Sequence, residues 1–485
     1  MKKVVCLIMT VLLLGGILFA GGGRQTASPA AGAGTSNSPV RIRFLQKDLD
    51  PIADRDVVAG LKRAIESGMA AQGTYIELEV LSPPAGNYNT AVPIAFRTGQ
   101  VTPDIVYFQG GDLPIAQEGM FTDLTPYIER STYVKAIMED HNRAALKNYP
   151  YLIWLSPARV STPVIREDWY NRLRTAQAVM QDPTVDNYYA MFKEMKDTGL
   201  ARWPITVDGG VGRLDSVFNH AFGITATLMK QNNRWVYSNA TEQERNKLEF
   251  YARLYREGLL DNEYVTKAWD TMEQAFYEGT SGFVAGTAGA VIDVYNNKMR
   301  ETQGTNLVVL PPAKGVSQAF RSVDVSKESR GFAIAADSRV KDTAWAFLEF
   351  MASPQGRIID KLGLEGVHHN VVNGRYVLTP EYPSWWARVW ETFNGLDTSR
   401  VDGELMTRAG AASLEAASRY FAPDTNVVLP EEFLPMKDAM DQLYIQYSTD
   451  IIRGVRPISA FSEFVTRWNA AGGDRISTYL ATVLN

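Results

Sequence analysis

The sequence of 485 residues contains very little of the side-chain chemistry that thiol and metal sites require, with one cysteine and four histidines. A single thiol cannot form an intramolecular disulfide or a Cys-x-x-Cys pair, which excludes redox chemistry through paired thiols. So few histidines and cysteines also leave little material for a transition-metal site. We therefore predict that the protein has no cofactor and no metal site.

An excess of positive charge is also absent. Lys and Arg total 49 and Asp and Glu total 54, which gives a net charge of −5. Proteins that bind the phosphate backbone of nucleic acids normally carry a basic excess, so we predict no nucleic-acid partner. A composition of 45% hydrophobic and 21% charged residues is ordinary for a globular protein, and the length indicates two or three domains.

The only long apolar run lies at the N-terminus. Lys2 and Lys3 precede the apolar residues 4–19, and Ala20 and three glycines follow. This run is short for a membrane span and ends at small residues, which predicts a signal peptide over residues 1–20. The Gly/Ala/Ser/Pro-rich residues 21–39 then predict a flexible linker. Cys6 lies inside the apolar run, away from the cut, so we expect a periplasmic or extracellular protein without a lipid anchor.

After residue 39 the hydrophobic pattern changes to that of an α/β domain. Alternating or buried apolar strands are predicted at 40–45, 76–81 and 104–108, separated by helical spacing at 55–72 and 88–98. This order predicts βαβ units and a largely parallel sheet, whose ligands bind beyond the carboxyl ends of the strands. The rest of the chain is mostly helical, with helices predicted at 186–197, 241–257, 270–277, 431–452 and 459–483, and short strands at 288–293 and 307–310.

Motifs for catalysis are missing from the sequence. It has no G-x-S-x-G elbow, no P-loop and no histidine pair at zinc-ligand spacing. His368 and His369 are adjacent, and neighbouring side chains point apart on a strand, which disfavours chelation. We therefore predict a protein that is not an enzyme. Glycoside hydrolysis requires only two carboxylates, so a periplasmic glycan-cleaving enzyme remains open as an alternative.

Several short stretches occur in a characteristic order: PDIV (103–106) with GMFTDLT (119–125), IREDW (165–169), LYREGLLD (254–261), and GFAI (331–334) followed by AWAFLEF (344–350) and GLEGVHH (363–369). In this order and spacing they resemble the extracellular solute-binding proteins of carbohydrate ABC importers, in their long lipoprotein-like and alginate-binding branch. Relatives in this branch often carry an acidic calcium loop after the helix that matches 186–197. Residues 197–204 lack that pattern, so we predict no calcium there.

The resemblance implies a periplasmic-binding-protein type II fold, which is an α/β fold of two lobes joined by a hinge. Mixed, mainly parallel sheets flanked by helices are expected, with residues 40–155 and 314–370 in lobe 1 and residues 156–313 and 371–485 in a helix-rich lobe 2. The implied function is capture of a carbohydrate, expected to be an oligosaccharide, by hinge closure, followed by delivery to the permease subunits of an ABC transporter. We expect a monomer, and a sugar sensor subunit remains open as a further alternative.

Sugar binding favours particular side chains. The apolar C–H face of a pyranose stacks on an aromatic ring, and its hydroxyls pair with amides, carboxylates and guanidinium groups. Tryptophans near predicted crossings, loops or exposed turns are the aromatic candidates, against the alternative that each lies in a core. They are Trp154, Trp203, Trp269, Trp385 and Trp386.

The polar candidates follow from their predicted positions. Gln109 and Asp112 lie at the carboxyl end of the strand at 104–108, and Asp293 is predicted to end the strand at 288–293. Arg330 precedes the hinge-like GFA, and we expect it to act either as a ligand clamp or in an ion pair between the lobes. His368 follows the GLEG turn near the later crossing that the resemblance implies.

Overall fold

The computed structural model describes residues 34–322, 329–425 and 427–484. The predicted signal peptide (1–20) and most of the predicted linker (21–39) lie outside these residues. Within the described ranges, no helix combines the length and the apolar character that a membrane span requires.

The strands lie in the order that the sequence pattern predicts over the first hundred residues. Their bounds are β1 (Val40–Leu45), β2 (Ile76–Val80), β3 (Ile105–Gln109), β4 (Ser161–Arg166), β5 (Leu228–Gln231), β6 (Arg234–Tyr237), β7 (Phe283–Thr287), β8 (Leu307–Val309), β9 (Phe320–Arg321), β10 (Arg330–Ile334), β11 (His369–Val372), β12 (Arg375–Leu378), β13 (Val401–Asp402) and β14 (Phe421–Ala422).

Helices separate these strands and dominate the last part of the chain. They are α1 (Arg55–Ala71), α2 (Tyr88–Arg97), α3 (Leu113–Gln117), α4 (Thr125–Arg130), α5 (Tyr133–Ile137), α6 (Asp140–Leu146), α7 (Glu167–Arg172), α8 (Arg174–Gln181), α9 (Val185–Asp197), α10 (Gly212–Phe218), α11 (Glu242–Arg256), α12 (Trp269–Tyr277), α13 (Ala290–Gln303), α14 (Lys341–Ala352), α15 (Pro354–Leu362), α16 (Arg408–Tyr420), α17 (Leu434–Ile452), α18 (Phe461–Trp468) and α19 (Asp474–Val483).

The first lobe is built on a sheet of order β10-β3-β1-β2. β1 pairs in parallel with β2 and β3, as the βαβ pattern predicts, and β10 returns antiparallel to β3. Phe44, Val106 and Phe332 from three of these strands are buried in one core with α1 and α14. Gly331 in β10 has φ +147, and a Cβ there would lie 2.6 Å from the Ile153 carbonyl oxygen, so this position requires glycine.

The second lobe has its own core and a smaller sheet of order β7-β4-β8. Both β7 and β8 pair antiparallel with β4, so the mainly parallel arrangement is a property of the first lobe. The strand predicted at 288–293 is wrong. The strand is β7, which ends at Thr287, and α13 begins at Ala290 after Gly289 turns the chain at φ +82.

The chain passes between the lobes more than once. Leu155 belongs to the first core, whereas Val160 is buried in a cluster with Phe320 that lies against the second lobe. Phe320 lies in the segment predicted as lobe 1 (314–370), and the return to the first core comes with β10. Conversely, Trp390 falls in the predicted lobe 2 (371–485) but packs edge-on against Phe332 in the first core.

Candidate functional site

Two adjoining cavities lie where the chain passes between the lobes. The first cavity has a volume of about 480 Å³ and the second about 600 Å³. Both are lined by Arg159, Ser322 and Arg330, so they meet at these residues. Each volume lies in the range of ligand-binding pockets in proteins, and together they can hold a ligand of several rings.

The first cavity is bounded by the first lobe and by residues 421–425. Its apolar lining comes from α6, from the segment after it and from β14, through Ala144, Ala145, Leu146, Leu152, Ile153, Trp154 and Phe421. Half-buried Trp154 packs against the first core on one side. The guanidinium carbons of Arg159 and Arg330 lie 5.9 and 5.8 Å from its ring centroid, at cation–π distance.

The second cavity is lined by charged and polar groups of the second lobe. They include Asp208, Arg213, Asp215, Glu244, Trp269, Arg321, Lys437, Asp441 and Tyr444. Trp269 is 39% exposed, and the Arg213 guanidinium lies 4.6 Å from its ring centroid. Arg213 also donates from Nη2 to Asp208 at 2.9 Å, so this aromatic ring lies beside a fixed ion pair.

A buried charge cluster supports the wall of the second cavity. Lys247 on α11 has a side chain only 1% exposed, and its Nζ lies 2.7 Å from Asp215 Oδ1 and 3.0 Å from Glu244 Oε2. Tyr444 on α17 donates to Glu244 Oε1 at 2.6 Å, and Tyr251 donates to Asp215 Oδ1 at 3.1 Å. Desolvation raises the pKa of Glu244 against the opposing attraction of Lys247. The cluster fixes Asp215 as a rigid acceptor at the cavity surface.

Three of the residues predicted to bind ligand line these cavities: Trp154, Trp269 and Arg330. Gln109 ends β3 as predicted and pairs in register with Arg330 on β10. Its side chain is half-buried, with Nε2 3.4 Å from the hydroxyl of Tyr107. Gln109 therefore lies next to a cavity residue, at the carboxyl edge of the sheet.

Two other predicted acidic residues serve the fold instead. Asp112 is completely buried and accepts hydrogen bonds from the hydroxyls of Tyr151 and Ser329, so its carboxylate points into the first lobe. Asp293 lies in the first turn of α13, because the predicted strand is a helix, and it accepts from the Thr407 backbone N–H at 2.6 Å. Neither lines a cavity.

The remaining aromatic candidates also lie away from both cavities. Trp203 is half-buried beside Lys196, whose Nζ is 5.3 Å from its ring centroid. His368 is buried, accepts from the Leu364 N–H at Nδ1, and packs against Trp385 with ring centroids 4.7 Å apart and the ring planes tilted by 51°. Trp385 donates to the Asp360 carbonyl at 2.8 Å, whereas neighbouring Trp386 is 47% exposed.

Sequence reasoning missed the charged residues of the second cavity. Thr241 does cap α11, with its hydroxyl accepting from the Glu244 N–H at 3.3 Å, as the capping-box pattern predicts. The Glu244 side chain, however, turns to Lys247 and Tyr444. The spacing of an acid and a lysine three residues apart was the available signal, but on most helices that spacing marks a solvated face.

Metal ligation finds no support in the described part of the chain. Among the described residues, no group of three or more His, Cys, Asp or Glu side chains could hold a metal ion. The side chains that line the two cavities offer aromatic stacking, hydrogen bonding and ion pairing.

The sequence matches a known protein family and one characterised relative. Residues 57–358 match the family described as bacterial extracellular solute-binding protein. Lipoprotein LipO of Bacillus subtilis (strain 168) is 21% identical over 393 residues, covering 75% of this chain and 73% of LipO.

Solved structures agree in fold at low identity. The alginate-binding protein AlgQ2 without calcium ion matches with a TM-score of 0.65 at 16% identity, covering 93% of this chain and 99% of AlgQ2. An HMO-binding, ABC-transporter-associated solute-binding protein from Bifidobacterium longum infantis matches with a TM-score of 0.61 at 13% identity, covering 92% and 98%. The N-glycan transport solute-binding protein NgtS from Streptococcus pneumoniae, in complex with Man5GlcNAc, matches with a TM-score of 0.58 at 13% identity, covering 91% and 97%.

These likenesses confirm the predicted two-lobed α/β fold of the periplasmic-binding-protein type, and they confirm the resemblance seen in the sequence motifs. The family and the neighbouring structures are binding proteins rather than enzymes. The matched region spans more than half of the chain, and the chain belongs to the bacterial extracellular solute-binding protein family.

Proposed function

We propose that this protein is an exported solute-binding protein that captures a carbohydrate, specifically an oligosaccharide, and delivers it to the permease subunits of an ABC transporter. The observation that carries the proposal is the pair of adjoining cavities between the lobes, which together offer tryptophan rings and fixed charged groups. The AlgQ2, NgtS and HMO-binding structures, whose own ligands are carbohydrates by name, support this ligand class.

The chemistry of the second cavity, and of the point where the two cavities meet, suits a sugar chain. Trp269 offers an exposed ring for the C–H face of a pyranose, and Arg213 beside it offers donors for hydroxyl oxygens. Asp215, held by Lys247 and Tyr251, offers an acceptor that does not have to be ordered on binding. Trp154, flanked by Arg159 and Arg330, provides the contact at the point where the cavities meet.

The mechanism that we propose is closure of the lobes around the ligand. Ligand contacts with both lobes favour the closed state, because a ligand shifts a two-state equilibrium by its difference in affinity for the two states. Arg159 and Arg330, which line both cavities at the crossings, are placed to contact ligand in either lobe. The closed form is then the one that the permease recognises, in the periplasm or at the cell surface.

Each carboxylate that lines the second cavity is held in an ion pair, which does not favour the alternative of a glycan-cleaving enzyme. The pairs are Asp208 with Arg213, Asp215 and Glu244 with Lys247, and Asp441 with Lys437. Glycoside hydrolysis needs one carboxyl group to give a proton and a second to act as nucleophile or base. Glu244 is only 2% exposed, and its two oxygens are bonded to Tyr444 and Lys247. It is a support for Asp215 rather than a group that can reach a substrate.

The function is tested by identifying the ligand that the purified protein carries. Unfolding the protein in mild denaturant and analysing the released material by mass spectrometry should give an intact oligosaccharide. Refolded, ligand-free protein should bind that oligosaccharide again in titration calorimetry, with a decrease in the radius of gyration that reports closure. Formation of shorter sugars during incubation would show an enzyme, and release of a peptide or another solute would contradict the carbohydrate class.

A further inference from the structure

The first cavity poses a chemical problem for a sugar chain. An oligosaccharide placed in it would bring hydroxyl groups that need hydrogen-bond partners, and each hydroxyl buried without a partner weakens binding. The side chains facing it from α6, the following segment and β14 are largely aliphatic or aromatic. Whether a sugar fits the first cavity therefore depends on whether the polar side chains of its lining can form hydrogen bonds to the sugar.

Four of those polar side chains, His141, Asn142, Ser329 and Asp424, are already engaged within the protein. His141 Nε2 lies 2.8 Å from the Ser156 carbonyl oxygen, to which Asn142 Nδ2 also donates. The Ser329 hydroxyl donates to buried Asp112. Asp424 accepts from both the backbone N–H and the hydroxyl of Thr227 at 2.6 Å. A hydroxyl-bearing ring would compete with these bonds for the same side chains, whereas an apolar group would leave them intact.

The cavity is also continuous with the second cavity through Arg159, Ser322 and Arg330. Its volume of about 480 Å³ far exceeds that of an engineered cavity of about 150 Å³ that holds benzene. A substituent of eight or so carbon atoms, attached to a sugar in the second cavity, can therefore extend into the first. Trp154 and the two guanidinium groups would line the passage between the two parts of such a ligand.

We propose that the carbohydrate ligand is an amphipathic glycoside, whose apolar aryl or alkyl substituent occupies the first cavity while its sugar occupies the second. This inference rests on the proposed carbohydrate-binding function and specifies the ligand class further. The apolar substituent supplies affinity through burial in the first cavity, and the charged wall of the second cavity selects the sugar.

The first test uses an apolar probe without any sugar. N-phenyl-1-naphthylamine, a neutral dye that fluoresces in apolar surroundings, should bind ligand-free protein at one site. Ala145→Phe places a ring in the cavity from half-buried Ala145 on α6, and it should weaken dye binding at least tenfold. Ala71→Phe adds the same ring at an exposed position at the end of α1 and is the matched control. A cooperative thermal unfolding transition in each variant, measured alongside the wild type, is the check that both variants fold.

The second test links the apolar part to a sugar. The methyl, 4-nitrophenyl and n-octyl β-glycosides of glucose, galactose, mannose and N-acetylglucosamine are each titrated against the protein in competition with the dye. For at least one sugar, the aryl or alkyl glycoside should bind at least tenfold more tightly than the methyl glycoside. Ala145→Phe should remove most of that gain, and the preference between 4-nitrophenyl and n-octyl identifies which substituent suits the cavity.

The outcomes separate this inference from the function on which it rests. Absence of dye binding, or dye binding unchanged by Ala145→Phe, overturns the apolar site. Equal affinity for methyl and apolar glycosides of every sugar overturns the amphipathic ligand. In either case an unsubstituted oligosaccharide that binds and closes the lobes would leave the proposed function standing.

Discussion

The two cavities share three residues and differ in almost everything else. The first cavity is bounded by a segment at the edge of the first lobe's sheet, and His141, Asn142 and Ser329 in its lining bond inward to backbone or to buried side chains. The second lies against the helices α10, α11 and α17, and it presents carboxylates, guanidinium groups and an ammonium group. In the proposed function this difference divides the work of one site: the first cavity would remove apolar area of the ligand from water, and the second would fix the ligand's orientation.

The largest predicted effect is a loss of stability on substitution of Lys247, which supports the second cavity and not the first. Lys247→Met leaves Asp215 and Glu244 buried next to each other without their counter-ion, and breaking a buried ion pair in this way costs about 3–5 kcal/mol. Urea unfolding at pH 7 should show this loss. Without Lys247, its positive charge no longer opposes the desolvation that raises the pKa of Glu244, so the folded variant gains by protonating this carboxylate and the loss should shrink as the pH falls from 7 to 5.

The matched control is Lys193→Met, which removes an exposed i,i+4 pair with Asp197 and should leave the free energy of unfolding nearly unchanged, because exposed ion pairs contribute little to stability. A loss below 1 kcal/mol for Lys247→Met, or a loss independent of pH, would show that the cluster is not the support of the second cavity.

Trp154 tests the first cavity. Trp154→Ala removes the ring that lies between Arg159 and Arg330, and it should weaken binding of the released ligand about tenfold, equivalent to about 1.4 kcal/mol. Calorimetric titration and a urea midpoint are measured on the same variant. Trp386→Ala, at an exposed tryptophan outside both linings, is the control and should change neither quantity. A large fall in the midpoint with unchanged affinity would make Trp154 a core residue instead.

Trp269 measures whether the cavities act independently. Trp269→Ala should weaken binding about threefold, since an exposed ring contributes less than a buried one. If one ligand spans both cavities through separate contacts, the double variant with Trp154→Ala should show the sum of the two free-energy changes within about 0.5 kcal/mol. A double variant no weaker than Trp154→Ala alone would mean that Trp269 does not contact the ligand.

The fold was largely predictable and the site only in part, for physical reasons. Period-two alternation at 40–45 and helical spacing at 55–72 follow from one-sided burial, which depends on local sequence. Trp154 and Arg330 were predicted because both fall beside crossings. The strand predicted at 288–293, which was expected to end at Asp293, is wrong because glycine, alanine and valine at 289–291 fit a strand or a helix equally well. The positive φ of Gly289 decides in favour of the helix.

Asp112 and the charge cluster show a different limit. Asp112 follows a strand end, as ligand-binding residues in α/β sheets do, but the Tyr151 and Ser329 hydroxyls that bury it come from distant segments. Lys247 meets Asp215 only because α10 and α11 pack together, which no local pattern reports. Tertiary partners, rather than residue type, decided these roles.

The smallest effect concerns a residue that lies outside both cavities. Burial lowers the pKa of His368, helped by nearby His369 and Arg388, so the folded state binds fewer protons than the unfolded state below the ordinary histidine pKa near 6.5. Its contribution to stability is therefore present above that pH and is lost as the pH falls. His368→Asn retains an acceptor for the Leu364 N–H and should lose less stability than the wild type between pH 7.5 and 5.5 in urea unfolding. Equal losses in the two proteins would show that His368 does not titrate in this range.

The return of β10 to the first sheet sets the order in which the molecule can fold. The Thr122 hydroxyl bonds to the Ala335 carbonyl 213 positions later, and Trp390, later still, closes over Phe332. Until that part of the chain has been synthesised, β3 has an unpaired edge and the first core lacks one wall. The core of the second lobe includes residues from the last helix, such as Leu480. Neither lobe can be completed by a truncated chain, and contacts this distant in sequence make folding slow and dependent on the full-length polypeptide.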